Sequence, residues 1–348
     1  MRHSVCLPTG FEGLMHPVPF AKPEDFVRLG QLCERLGYCA VWGNDHITTQ
    51  RYVRELHPQA PPNFYEVMMV LAFVAASTTT LQVGTSVSVV PMRDPVWLAK
   101  QFSTLDQLSG GRALMGVGVG AYREEFESVL PRLAPQANRG AMLEEGVQLM
   151  RRLFMEPRVD HEGPYYACKG IEMYPKPVQS PLPIYFGGHN LAAIERAAKW
   201  GQGWMPAWRP WSELVERIGL LRDRCQEAGR SPDDVEVAIE FSVTVDDSDA
   251  KAEARYLATR LVAHRKSLAY TGRDLSQQVV CNLIGSPETI AAKLQELASI
   301  GVDHCCALMF PTETVAEFEE QVAWFAAIAQ PAANRVSHPD ARPPAQCR

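Results

Sequence analysis

No run of apolar residues in this sequence is long enough to cross a membrane, and its opening, MRHSVCLPTGF, lacks the long apolar core of a secretory signal. An excess of positive charge is also missing. Thirty-four basic side chains against 40 acidic ones give a formal net charge of -6, which leaves no electrostatic footprint for nucleic acid. The nine cysteines (Cys6, Cys33, Cys39, Cys168, Cys225, Cys281, Cys305, Cys306 and Cys347) are odd in number, scattered, and form no CxxC pair. A disulfide framework is therefore not expected, and free thiols in a reducing cytoplasm are. The nine histidines show neither HExxH nor any other tight ligand spacing, so no metal site is expected. There is no GxSxG, and no cysteine sits in a context that suggests a catalytic thiol.

What is present is an ordinary globular composition, 46% hydrophobic and 21% charged over 348 residues, enough for one large α/β domain or two average ones. Apolar strand-like runs alternate with amphipathic stretches. The runs are SVCLP (4–8), CAVWG (39–43), LQVGTSVSVV (81–90), ALMGVGVG (113–120), PIYFGG (183–188), GWMPA (203–207), VEVAIEFSVTV (235–245) and HCCALMF (304–310). Each is followed by a helical pattern. Such strand–helix units over residues 1–330 predict a (β/α)8 barrel of the α/β class, with insertions at 44–62, 156–182 and 246–287. A doubly wound open sheet is the alternative, because periodicity alone does not close a ring. The Pro-rich, polar stretch 331–348 reads as a disordered tail.

Three strand ends carry the chemistry. In WGNDHITT, Asp45 and His46 follow the second strand, where a histidine is placed to bond a ring or carbonyl or to shuttle a proton; a structural Asp–His pair is equally open. GVGVG ends the fourth strand without the acidic partner of a dinucleotide fingerprint, so its glycines either turn the backbone or leave room for a flat ligand. FGGHNLAAIERAA runs from two glycines into a helix near Asn190. Its free N–H groups suit a phosphate, with an N-capping Asn190 in an ordinary turn as the alternative. The third strand raises its own question, since it holds Thr85, Ser86 and Ser88 where a core strand has bulk.

GYCAVWGNDH, the stretch from VGTSVSVVPMRDP to VGAYREEF, the stretch from HEGPYYACKG to KWGQGW, and GSPETIAAKLQELASIGVDH together resemble the bacterial luciferase-like superfamily over residues 5–328. Its members are flavin- or deazaflavin-dependent oxidoreductases and monooxygenases on a (β/α)8 barrel. The resemblance implies a cofactor, FMN or coenzyme F420, at the barrel's C-terminal mouth. It implies a non-prolyl cis peptide at Ser86–Val87 beneath the cofactor ring, with Thr85 beside it. It assigns Asp45 and His46 as the acidic–histidine pair near ring and substrate, and Gly118 and Gly120 to the cofactor tail. Gly187, Gly188, His189 and Asn190 match the phosphate-binding turn. Ala121 stands where some sugar-phosphate dehydrogenases of the deazaflavin branch carry a glutamate, which argues against that activity, and Gln202 stands where relatives often have Asp. The expected partners are a small-molecule substrate and a separate reductase, with no nucleic acid or membrane; a homo-oligomer is left open. The rival classes are a non-catalytic flavin-binding barrel and, more weakly, a metal-dependent barrel hydrolase.

Overall fold

In the computed structural model, residues 1–267 and 275–335 are described. Among them run twelve strands: β1 (Arg2–Leu7), β2 (Ala40–Gly43), β3 (Gln82–Thr85), β4 (Ser88–Val89), β5 (Ala113–Gly118), β6 (Val159–Glu162), β7 (Ala167–Ile171), β8 (Ile184–Gly187), β9 (Gly203–Met205), β10 (Glu236–Val245), β11 (Leu283–Gly285) and β12 (His304–Met309). β1, β2, β3, β5, β8, β9, β10 and β12 pair in parallel in that order, and the pairing of β12 with β1 closes the ring. This closed barrel excludes the open doubly wound sheet.

The helices are α1 (Pro23–Arg35), α2 (Arg51–Leu56), α3 (Val67–Ala75), α4 (Pro95–Ser109), α5 (Arg123–Val129), α6 (Arg139–Met155), α7 (Leu191–Trp200), α8 (Trp211–Glu227), α9 (Asp249–Leu257), α10 (Arg260–Ser267), α11 (Pro287–Ser299) and α12 (Val315–Arg335). Local chemistry sets their ends. The Asp94 carboxylate accepts from the N–H groups of Val96 (2.9 Å) and Trp97 (3.1 Å), Pro95 takes the first turn of α4, and left-handed Gly110 (φ 69°) stops it.

Side chains alternate across each strand. Val5 and Leu7 of β1 face the helices and join the large apolar layer with Leu29, Val74, Phe102, Val147 and Ile194. Cys6, Ala40, Trp42, Leu114, Tyr185, Met205 and Cys306 fill the barrel interior. A Cβ on Gly84 would lie 2.6 Å from the Trp42 ring, so that glycine makes space for the indole.

The predicted insertions hold structure of their own. Segment 44–62 carries α2, 156–182 carries the antiparallel β6–β7 hairpin, and 246–287 carries α9, α10 and β11. The part of that last insertion at 268–274 lies outside the described residues. α12 runs to Arg335, five residues into the stretch read as a tail. The rest of the predicted tail, 336–348, lies outside the described residues, as does Cys347. The other eight cysteines are free thiols, and no helix among the described residues is long and apolar enough to cross a membrane.

The strand N-termini are closed by a charged floor. Arg2 donates to Glu236 through Nε (2.8 Å), and the Tyr185 hydroxyl donates to the same carboxylate (2.6 Å). His304, fully buried, has its Nδ1 at 3.6 Å from Glu236 and its Nε2 at 2.7 Å from Ser4 Oγ and 3.5 Å from Cys39 Sγ. Burial alone would lower the His304 pKa, but the charges on Cys39 and Glu236 outweigh it and raise it to about 9.

Candidate cofactor site at the barrel mouth

The opposite end of the barrel holds a cleft of about 380 Å³. Its walls include Ser86, Val87, Gly118, Gly120, Gly187, Gly188, His189 and Asn190, so eight of the residues expected at a cofactor site meet in one place. Thr85 lies just beneath, fully buried, its hydroxyl donating to the Gly116 carbonyl (2.7 Å).

The third strand breaks into β3 and β4, and the Ser86–Val87 peptide between them is cis. Gly116 has no room for a Cβ, which would stand 1.8 Å from the Thr85 carbonyl oxygen. A Cβ on Gly118 would lie 2.5 Å from Val87 Cγ2, and one on Gly187 would lie 2.9 Å from Val87 Cγ1. The two glycines thus receive the Val87 side chain, which wedges between β5 and β8. The space for a ligand lies beyond it. Gly120 (φ 80°) and Gly188 (φ 116°) adopt backbone that other residues rarely enter, and both line the cleft.

Asp45 and His46 do not line the cleft, and they part company. The Asp45 side chain is buried and fully engaged: Arg93 donates to both oxygens (2.8 and 2.6 Å), and the Val89 N–H donates to one (3.0 Å). It ties the loop after β2 to the end of β4. His46 is held at Nδ1 by Glu125 (2.9 Å), a buried carboxylate that also accepts from the N–H groups of Ile47 (2.6 Å) and Thr48 (3.2 Å). With Nδ1–H given to Glu125, the remaining Nε2 carries the lone pair, and it makes no hydrogen bond among the described residues. The His46 ring lies 5.4 Å from that of Tyr122, which directly follows Ala121 in the cleft wall.

Several mouth residues gave no sequence signal. Glu240 on β10 lines the cleft and accepts from the Ser86 hydroxyl. Buried Arg265 also lines it, donates to Tyr256 and to Ser242 Oγ (2.7 Å), and lies over the Trp208 ring at 5.4 Å. Both ring nitrogens of His264 are taken, one by Tyr52 and one by Tyr122 (2.8 Å), which joins the insertions at 44–62 and 246–287 to the β5 loop. Burial, then the nearby Arg265 and His46 charges, push His264 down to about 4. The Glu–Glu pair of YREEF could have flagged Glu125, but it reads as an exposed first turn.

The turn after β8 fits a phosphate. Asn190 caps α7, accepting from Ala193 N (2.9 Å), while the N–H groups of Asn190, Leu191 and Ala192 have no protein acceptor among the described residues. These are the orphan donors that a helix N-terminus offers to an anion.

Fold and mouth together place the chain among the (β/α)8 proteins whose functional sites lie at the C-terminal ends of the strands. The model of the luciferase-like monooxygenase family matches residues 1–304, and the chain belongs to that family. An F420-dependent glucose-6-phosphate dehydrogenase of Kineococcus radiotolerans is 30% identical over 287 residues, 78% of this chain and 82% of that protein. Two solved structures show the same fold. A monooxygenase from Streptomyces bottropensis has a TM-score of 0.79 at 21% identity, covering 96% of this chain and 100% of its own. An F420-dependent secondary alcohol dehydrogenase in complex with an F420-acetone adduct has a TM-score of 0.75 at 22% identity, covering 95% and 98%. The chain is accordingly an enzyme of the flavin- or F420-dependent oxidoreductase type.

Proposed function

We propose that this enzyme uses coenzyme F420 to transfer a hydride to or from a small alcohol or carbonyl substrate, in the cytoplasm. The observation that carries the reading is the Glu125–His46 pair at the mouth, beside a cleft that ends in an anion-ready turn. The deazaflavin, when bound, supplies the hydride chemistry. The turn at Gly187–Asn190 and the α7 N-terminus would hold the phosphate of its tail, and Ser86–Val87 would back its ring. Glu125 fixes the His46 tautomer, which leaves Nε2 to take the proton of a substrate hydroxyl or return it to a carbonyl oxygen. The curated relative at 30% identity supports the deazaflavin over FMN. Ala121 at the cleft wall still speaks against a sugar phosphate as the substrate.

A titration with coenzyme F420 and FMN in both redox states, followed by turnover with small alcohols and aldehydes, tests this. Tight F420 binding and bleaching of its absorbance by an alcohol are expected. Tight FMN binding with substrate-dependent oxygen consumption would replace hydride transfer by oxygenation. Binding of either cofactor with no turnover would leave the non-catalytic barrel.

A further inference from the structure

β8 has a hollow at each end. Gly187, which closes the strand, lines the cleft at the mouth. Ile184, which opens it, lines a second cavity of about 410 Å³ together with Gln202, the residue before β9. That volume falls within the roughly 300–1,000 Å³ of small-molecule sites.

The last turns of α6 make one wall of this cavity, and the segment 176–182 makes the other. Both walls are pinned. Lys176 Nζ donates to the carbonyls of Leu153 (2.7 Å) and Glu156, which caps the C-terminus of α6. Gln179 donates through its backbone N–H (2.9 Å) and its Nε2 (2.7 Å) to the buried carboxylate of Asp106 on α4. Phe154, Leu182 and Ile184 give the hollow an apolar lining. The space is thus held open by hydrogen bonds within the protein, so a ligand would find it formed.

Its charge is one-sided. No carboxylate lines the cavity, while Arg151 and Lys176 both do. Arg151 commits Nη1 to the Trp200 carbonyl (3.2 Å) and makes no ion pair among the described residues. Burial and the like charge of Arg230 both disfavour its positive form and lower its pKa, and an anion beside it would offset them. Glu156, whose charge acts on Lys176, is itself bound by Arg152 (2.9 and 3.0 Å). Gln202 accepts from the Ile184 N–H through Oε1 (3.0 Å), which leaves its amide hydrogens as further donors. An apolar hollow edged by cationic and amide donors complements an anion with an apolar body.

We propose that this cavity is a second ligand site, which takes a small amphipathic carboxylate. The acid group lies on Arg151, and the apolar body lies against Phe154, Leu182 and Ile184. The site is separate from the cofactor cleft and does not depend on which cofactor binds there.

Octanoate, 1-octanol and octylammonium share one tail and differ in charge, and calorimetric titration of the full chain with each tests the proposal. Octanoate should bind, with octanol roughly 10-fold or more weaker, the least that a hydrogen bond to a charged group contributes. Octylammonium should bind weakest. Arg151→Gln should lower octanoate affinity roughly 10–100-fold and leave octanol unchanged, and Arg151→Lys should recover part of the loss. Gln202→Glu keeps the acceptor for the Ile184 N–H but adds negative charge to the lining. It should weaken octanoate and strengthen octylammonium, a reversal that misfolding would not produce. Absence of octanoate binding, or equal affinity for the three tails, would overturn the proposal. So would competitive displacement of octanoate by FMN or coenzyme F420, which would put it at the mouth. Unchanged octanoate affinity in both Arg151→Gln and Gln202→Glu would overturn it as well.

Discussion

The two ends of the barrel place their charged groups differently. At the floor, Arg2 and Tyr185 both donate to Glu236, His304 lies within ion-pair distance of the same carboxylate (3.6 Å), and Trp42 seals the interior above them with its indole on Ser4 Oγ (2.7 Å). At the mouth, three N–H groups at the start of α7 and His46 Nε2 make no hydrogen bond to protein among the described residues. The same scaffold thus closes one end with internal electrostatics and leaves free donors at the other, where the proposed cofactor would sit. Buried polar groups that lack partners are the informative ones.

Substitutions at the two ends should separate these roles. The largest effect is expected at the mouth. His46→Ala should lower turnover by about 10²–10⁴-fold, the usual worth of general acid–base catalysis, with oxidised-cofactor affinity and melting temperature nearly unchanged; steady-state kinetics with calorimetry checks this. At the floor the pattern reverses. Glu236→Ala strands charges on Arg2 and His304 and should cost about 3–5 kcal/mol in denaturant unfolding, with turnover per folded molecule retained.

The ends should also answer pH in opposite directions. His304, raised to about 9 in the fold against about 6.5 unfolded, contributes stability that is complete below pH 6.5 and is lost as pH climbs toward 9. His264, lowered to about 4, contributes stability that is present above pH 6.5 and is lost as pH falls toward 4. Each limb amounts to about 3 kcal/mol at most. Melting curves from pH 4 to 9 should show the alkaline limb flattened in His304→Gln and the acid limb flattened in His264→Gln. A smaller change tests the rim: Asn190→Ala removes the α7 cap and should cost about 1 kcal/mol, measured by chemical denaturation.

Most of this architecture is legible in the residues. The eight ring strands announce themselves as β-branched or apolar runs, since each is buried on both faces. β11 does not, because Leu283–Gly285 is too short to show a period. The β6–β7 hairpin hides behind the polar residues of Val159–Glu162. At the site, glycines and turn residues were readable because backbone needs constrain them. Asp45 adjoins His46 in the sequence, yet its carboxylate belongs to Arg93, 48 positions away. Glu125 and Glu240 escaped for the same reason: a charged residue in sequence does not tell which neighbour the fold will give it. Only three-dimensional pairing distinguishes them.

Val87 has a consequence for how this mouth can change over generations. Its two methyl branches occupy the space that side chains on Gly118 and Gly187 would need, so three strands share one volume. Enlarging either glycine collides with Val87, whereas a smaller residue at 87 opens room for both. Replacements at these positions are therefore contingent on order: the one at 87 has to come first. A lineage drifting by single steps would find position 87 to be the gate, with the two glycines locked until it is passed.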